Sequence, residues 1–286
     1  MCGPRILTME QFASGWKRNY YGKGDVIVYR LRRRGEPSVF GANIKMLVYG
    51  DAFWPTYTTG DNTGLIATDS MKNFIQREAL SYEGPDLEGC CQFLGAKFLE
   101  TYPQVEGVQV SAIEIPYSAL TEERIAFAPS GPERAMARIE LGRKGTIEAA
   151  SGIRGFKLLR LTGSAFQGFV RDQYTTLPDL LDRPLHMWLD LDWLYDEPSN
   201  ALNSGSVSTA IRRMVHDTFS GFESGSIQQV IYQIGTKILA EIPVIAEVHL
   251  EANNRTWDTV LERGQETGVY TDARPPYGCL GLRLRR

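Results

Sequence analysis

Two stretches of the chain place their apolar residues on one stripe of a helix. Leu87, Cys90, Cys91, Leu94 and Phe98 stand at i, i+3, i+4, i+7 and i+11, and Ile227, Val230, Ile231, Ile234 and Ile238 repeat that spacing. This periodicity predicts two amphipathic helices. A shorter stripe precedes each one, Met71, Phe74 and Ile75 in the first case and Ile211, Met214 and Val215 in the second. A single shift of 140 residues superposes all of these positions, and it also brings Gly95, Lys97, Leu99 and Pro103 onto Gly235, Lys237, Leu239 and Pro243. Self-similarity at a fixed interval marks an internal repeat. Pro103 and Pro243 stop the second helix of each pair at the same point.

Segments with strand character flank the helix pairs. Residues 26–29 and 44–48 predict a hairpin before the first pair, and Val108, Val110 and Ala112 alternate after it. In the second half, residues 156–161 and 187–194 precede the helices, residues 244–250 follow them, and Leu280, Leu282 and Leu284 alternate near the end. Each half therefore reads β-β-α-α-β-β, an α+β plan of antiparallel sheets with helices on one face. Residues 142–155 hold several glycines and serines, which places a junction there and divides the chain into units 1–148 and 149–286. Edge strands left open in a monomer favour closure by oligomerisation.

A net charge of −3 argues against a general nucleic-acid binder, which would need an excess of Lys and Arg. The basic runs at 30–34 and 283–286 read as strand ends with solvated arginines. Cys2, Cys90, Cys91 and Cys279 include no C-x-x-C pair, so no disulfide scaffold is expected and a reducing interior suits the chain. Cys90 and Cys91 fall where the second half has Val230 and Ile231, which makes them small core residues. His186, His216 and His249 are widely separated, so no metal site is expected. The first residues do not open like a signal peptide, and the final Arg-Arg is no peroxisomal address. No apolar run approaches the ~20 residues that span a bilayer. Together these features predict a cytoplasmic protein without membrane partners.

The segment from Gly60-Asp61-Asn62 to Thr68-Asp69-Ser70-Met71-Lys72-Asn73 and the block Arg171-Asp172-Gln173-Tyr174-Thr175-Thr176-Leu177 carry a resemblance to the uricase family. Asp182-Arg183, Ser226-Ile227-Gln228 and Asn253-Asn254-Arg255-Thr256-Trp257 follow in family order. The resemblance covers residues 20–286 and implies the tunnelling fold, two tandem ββααββ units that close into a barrel by oligomerisation. It further implies a homotetramer that oxidises urate with O2, without metal or other cofactor, at sites between subunits. Arg183 matches the arginine that clamps urate, through two parallel hydrogen bonds from a forked cation. Gln228 matches the amide gripping the same edge, in the first turn of a helix where an anion is favoured. Phe166 matches the ring on which the purine stacks, and Leu177 and Ile227 match pocket walls. Lys23 and Thr68 match the proton relay, and Thr68 and Asp69, supplied by a neighbouring subunit, match residues that also bind the substrate. Asn253 matches the residue that holds oxygen or the attacking water.

Read alone, Lys23 is a loop lysine before a strand, Thr68 with Asp69 is a helix cap, and Phe166 is a core phenylalanine. The repeat places Glu88 opposite Gln228, and a carboxylate there would repel urate, so the halves should not carry equivalent sites. The chain also departs from the family, which has a histidine where Arg255 stands. Three readings are open: the histidine is dispensable, Arg255 lowers the pKa of the catalytic lysine, or the enzyme is slow or altered in specificity. Asn254 is an alternative to Asn253 if the register shifts by one. Two rival functions are a zinc-dependent, pterin-processing relative of the same fold and a non-catalytic purine-binding assembly.

Overall fold

A computed structural model describes residues 19–264 and 266–286; the N-terminal run and Cys2 lie outside them. Strands β1 (Tyr21–Arg32) and β2 (Ser38–Tyr49) form the predicted hairpin. They lead through the short helix α1 (Trp54–Thr58) to helices α2 (Thr68–Glu78) and α3 (Leu87–Thr101). Next come β3 (Gly107–Glu114), a small hairpin of β4 (Tyr117–Ala119) and β5 (Phe127–Pro129), and β6 (Arg134–Gly142). The second half repeats this order: β7 (Gly145–Arg160), β8 (Leu185–Tyr195), α4 (Ser204–Gly221), α5 (Ile227–Glu241) and β9 (Ile245–Asn254). A second small hairpin, β10 (Thr259–Arg263) with β11 (Thr267–Tyr270), precedes the last strand, β12 (Gly278–Arg285).

Eight strands form one antiparallel sheet in the order β1-β2-β3-β6-β7-β8-β9-β12, with β1 and β12 at its edges. Alternation puts Ile44, Met46 and Val48 of β2 opposite Ala112, Val110 and Val108 of β3, all buried. The helices cover this apolar face, and their predicted stripes enter a core that runs through both halves. Ile234 and Leu94 are fully buried there, and truncating either to alanine would cost about 2–5 kcal/mol. Gly95 and Gly235, identical under the repeat, bring α3 and α5 close to the sheet. A Cβ at Gly95 would lie 2.5 Å from Leu141 Cδ1, and one at Gly235 2.9 Å from Leu284 Cδ1. Cys90 and Cys91 are core residues as expected, and burial pushes the Cys90 thiol up to about 12.

The opposite face of the sheet carries charged pairs across its middle strands. It carries Arg138 against Glu148 at 2.7 Å and Asp192 between Arg154 at 3.1 Å and His249 at 3.4 Å. The basic runs are not merely solvated. Arg30 turns inward to donate to the Gly84 carbonyl at 2.7 Å, Arg283 pairs with Glu247 at 3.3 Å, and Arg286 donates to the Ile242 carbonyl at 3.2 Å. Their neighbours on adjacent elements are acceptors, which sequence order does not reveal. Among the described residues, no helix is long and apolar enough to cross a membrane.

Candidate active site

The loop between β7 and β8 carries Phe166, Leu177 and Arg183 and folds on itself. Phe166 and Leu180 exchange backbone hydrogen bonds of 2.7 and 2.9 Å, and Arg171 pairs with Asp179 at 3.1 Å. Asp182 accepts from the backbone N–H of Gly163 at 2.7 Å and of Ser164 at 3.2 Å, which fastens the residue before Arg183 to the strand end before Phe166. The Arg183 guanidinium carbon consequently stands 5.6 Å from the Phe166 ring, whose other neighbour is Phe169, stacked at 4.9 Å. Phe166 is half-buried, not a core residue. Burial lowers the pKa of Arg183 from its ordinary value, and its Nε is buried with no partner among the described residues. A cation beside an aromatic face, holding an unused donor, suits a flat anion that offers acceptors along one edge. Leu177 is 41% exposed.

The same loop meets the start of α5. Ala165 N–H donates to the Ser224 carbonyl at 2.8 Å, and Ser224 N–H donates to the Gly163 carbonyl at 2.9 Å. Two residues on, Ser226 caps α5 by accepting from Gln229 N–H at 3.2 Å. Ile227 is buried and Gln228 is exposed in the first helical turn. At the matching position in the first half, Glu88 is buried and accepts from Ser151 Oγ at 2.5 Å. Burial raises its pKa, with the hydrogen bonds from Ser151 and Ser204 opposing the shift.

A second cluster lies at the end of β9. Asn253 pairs across the sheet with Trp188 and Cys279, and its Oδ1 accepts from Arg255 Nη2 at 3.3 Å. The Arg255 guanidinium is held between the rings of Trp188 and Tyr277, 3.9 Å from each centroid. Its backbone N–H donates to the His186 carbonyl at 2.9 Å. Strand alternation puts Asn253 and Asn254 on opposite faces of β9, and it is Asn253 that bonds Arg255. His186 accepts from Trp188 Nε1 at 3.3 Å, and burial lowers its pKa. Trp188, Tyr277 and His186 gave no sequence signal, because only strand pairing brings them to Arg255.

Lys23 on β1 and Thr68 and Asp69 at the start of α2 are the remaining expected residues. Lys23 pairs with Met46 where β1 is irregular, next to Asp25 at φ 55. Tyr21 hydroxyl accepts from Ile66 N–H at 2.9 Å and so ties the approach to α2 against β1. The capping reading of Thr68 fails: Ala67 is the N-cap residue with no side-chain cap bond, and Thr68 is already helical. Asp69 instead binds Lys72 Nζ at 2.6 Å and Asn73 Nδ2 at 2.9 Å. The Lys72 bond is the main reason that its carboxyl lies below the ordinary value, and the charge of Lys23 adds to the effect. The structure thus joins Phe166 to Arg183 and Asn253 to Arg255, whereas Asp69 is bonded to Lys72 and Asn73 and not to Lys23. Lys23 stands on edge strand β1, six strand steps from β9 in the sheet order. That distance is roughly 28 Å along the sheet.

Among the described residues, no group of three or more His, Cys, Asp and Glu is placed to hold a metal ion. A family profile described as Uricase matches residues 19–140 and 149–280. A uricase of Haloferax volcanii is 40% identical over 275 residues, which cover 85% of this chain and 89% of that protein. A uric acid degradation bifunctional protein of Bacillus subtilis is 36% identical over 291 residues, 90% of this chain but only 59% of that longer protein. Among solved structures, a urate oxidase from Bacillus sp. TB-90 superposes with a TM-score of 0.84 at 34% identity, covering 94% of this chain and 100% of that one.

Proposed function

The chain belongs to the uricase family, and we propose that it oxidises urate with O2 and water to 5-hydroxyisourate and hydrogen peroxide, without a cofactor. The observation that carries this reading is the Arg183 cation set 5.6 Å from the Phe166 ring, inside a chain matched to that family almost throughout. Urate stacks on Phe166, a contact on the order of 1–3 kcal/mol for a base on an aromatic ring. Arg183 grips one edge of the anion and Gln228 adds a donor and an acceptor, with Leu177 and Ile227 as walls. Lys23, relayed by Thr68, removes a proton, and the resulting dianion gives two electrons to O2. Asn253 holds oxygen and then the water that adds to the ring, and peroxide leaves. An arginine, unlike a histidine, does not serve as a proton shuttle near neutrality. The proton path therefore runs through Lys23, Thr68 and water, with Arg255 a fixed cation beside Asn253.

The strand distance between Lys23 and Asn253 supports a site shared by two copies. Lys23, Thr68 and Asp69 come from one copy, and Phe166, Leu177, Arg183, Ile227, Gln228 and Asn253 from the other. The open edges β1 and β12 join in a homotetramer whose sheets close into a barrel. Each chain supplies two ββααββ units; the two matched segments support the division into residues 1–148 and 149–286, while the repeated element order starts again four residues earlier, at the first residue of β7 (Gly145–Arg160). Its setting is the cytoplasm, which suits buried, unpaired cysteines.

Oxygen uptake, loss of urate absorbance and peroxide formation by chelator-treated protein test the assignment together. Equal amounts of O2 and urate consumed and peroxide formed are expected. Urate binding without oxygen uptake would overturn it in favour of a purine-binding assembly.

A further inference from the structure

Phe166, Arg183 and Gln228 sit on three separate segments, and a purine site needs all three in one frame. One side chain outside the site touches two of these segments. Arg160, the last residue of β7, donates from Nη1 to the carbonyls of Phe219 at 2.8 Å and Phe222 at 2.6 Å, at and just beyond the last turn of α4. Its Nη2 donates to the Gly163 carbonyl at 2.8 Å and to Ser224 Oγ at 2.5 Å. The guanidinium also lies 5.5 Å from the Phe219 ring and 6.0 Å from the Phe222 ring. Gly163 lies three residues before Phe166, and Ser224 lies four residues before Gln228. Asp182 binds the N–H groups of Gly163 and Ser164 and so adds the Arg183 segment to the same knot.

The geometry points to Arg160, assisted by Asp182, as a positioning residue that fixes the urate platform and clamp relative to the amide of α5. This inference rests on the urate reading above and deepens it.

A planar fork with donors on two nitrogens can serve four acceptors on two segments; a lysine ammonium, a compact point charge, cannot span them. The first half contains a similar staple without a substrate loop. Arg30, near the end of β1, donates to the Gly84 carbonyl between α2 and α3 at 2.7 Å and lies 5.0 Å from the Phe40 ring. The segment joining β1 to β2 is short and carries no counterpart of Phe166 or Arg183. Arg30 thus provides an internal control for a purely structural staple.

Arg160 holds the groups that bind urate, but not Lys23 or Asn253 on β1 and β9. Its loss should weaken substrate binding more than the chemical steps. Arg160→Lys is expected to raise KM about tenfold with kcat changed less than about threefold, since small misplacements in a positioned site are costly. Arg30→Lys, compared at matched thermal stability, should leave KM unchanged. If Arg160→Lys does not fold, Ser224→Ala removes one of the four bonds and should still raise KM by about threefold. Combining Arg160→Lys with Phe166→Ala should give less than the sum of the separate effects, because a missing platform cannot be misplaced.

Anaerobic urate titration carries the same comparison as dissociation constants. An active wild type with unchanged KM in Arg160→Lys and Ser224→Ala, or equal KM changes in the Arg30 and Arg160 variants, or strictly additive effects with Phe166→Ala, would overturn the positioning role alone. A wild type that neither binds nor oxidises urate would overturn the urate reading as well.

Discussion

Glu88 and Gln228 occupy the same place in the repeat and meet opposite fates. Gln228 faces solvent at the start of α5, while Glu88 is 6% exposed and hydrogen-bonded to Ser151. Burial raises the pKa of Glu88 above its unfolded value, which for a glutamate is about 4.3. A group shifted upward contributes stability that is fully present below the unfolded pKa and is lost as pH rises through the folded one. Glu88→Gln has no proton to lose. It should melt at a higher temperature than wild type at pH 8, and the advantage should vanish near pH 4. No advantage at pH 8 would mean that the carboxylate is well accommodated as an ion. Lys23→Met should lower kcat by about a hundredfold or more with KM within a few fold, the pattern of a lost proton-transfer group. Steady-state kinetics that show equal loss of binding would remove Lys23 from the relay. Neither Lys23 nor Arg183 announced a role through its spacing; only the match to family motifs singled them out. Arg160, Trp188 and Tyr277 were silent because their contacts join residues far apart in the chain.

At the level of elements, the helices were readable because their buried stripes have a strict period, and β1, β2, β3, β8, β9 and β12 because one face alternates against the core. Strand β6 was not read, and residues 142–155, taken as a junction for their glycines and serines, form the β6–β7 turn and most of β7. The small hairpins β4–β5 and β10–β11 were not readable. They are short, and Val260, Leu261 and Val269 in the second are exposed, so no burial pattern marks them. The start of α2 misled because Thr68-Asp69 has the composition of a cap, whereas the helix begins one residue earlier without a capping bond. Identity of Gly95 with Gly235 was visible as a repeat, and the structure supplies its cause in close helix–sheet approach. Gly235→Val should therefore destabilise the protein by about 1–3 kcal/mol through overpacking against Val248, Leu250 and Leu284. Denaturant midpoints would measure this; an unchanged midpoint would show that α5 shifts outward at little cost.

The described residues form an eight-stranded sheet edged by β1 and β12, and the residues proposed for the chemistry fall toward its two edges. On β1, Ile27, Tyr29 and Leu31 are half exposed on one face, an apolar row that the described residues leave partly uncovered. Everything proposed for proton transfer lies near that edge, and everything proposed for gripping urate lies toward the other. The proposed function therefore predicts that two copies complete one site. Mixed assemblies of Lys23→Met chains with Arg183→Gln chains test this dependence most directly. Each variant alone should be nearly inactive, but random co-assembly should restore about a quarter of wild-type urate oxidation, since one site in four would combine two intact halves across a symmetric interface. Mixed assemblies with no more activity than either parent would contradict a shared site and require that each chain oxidise urate within itself.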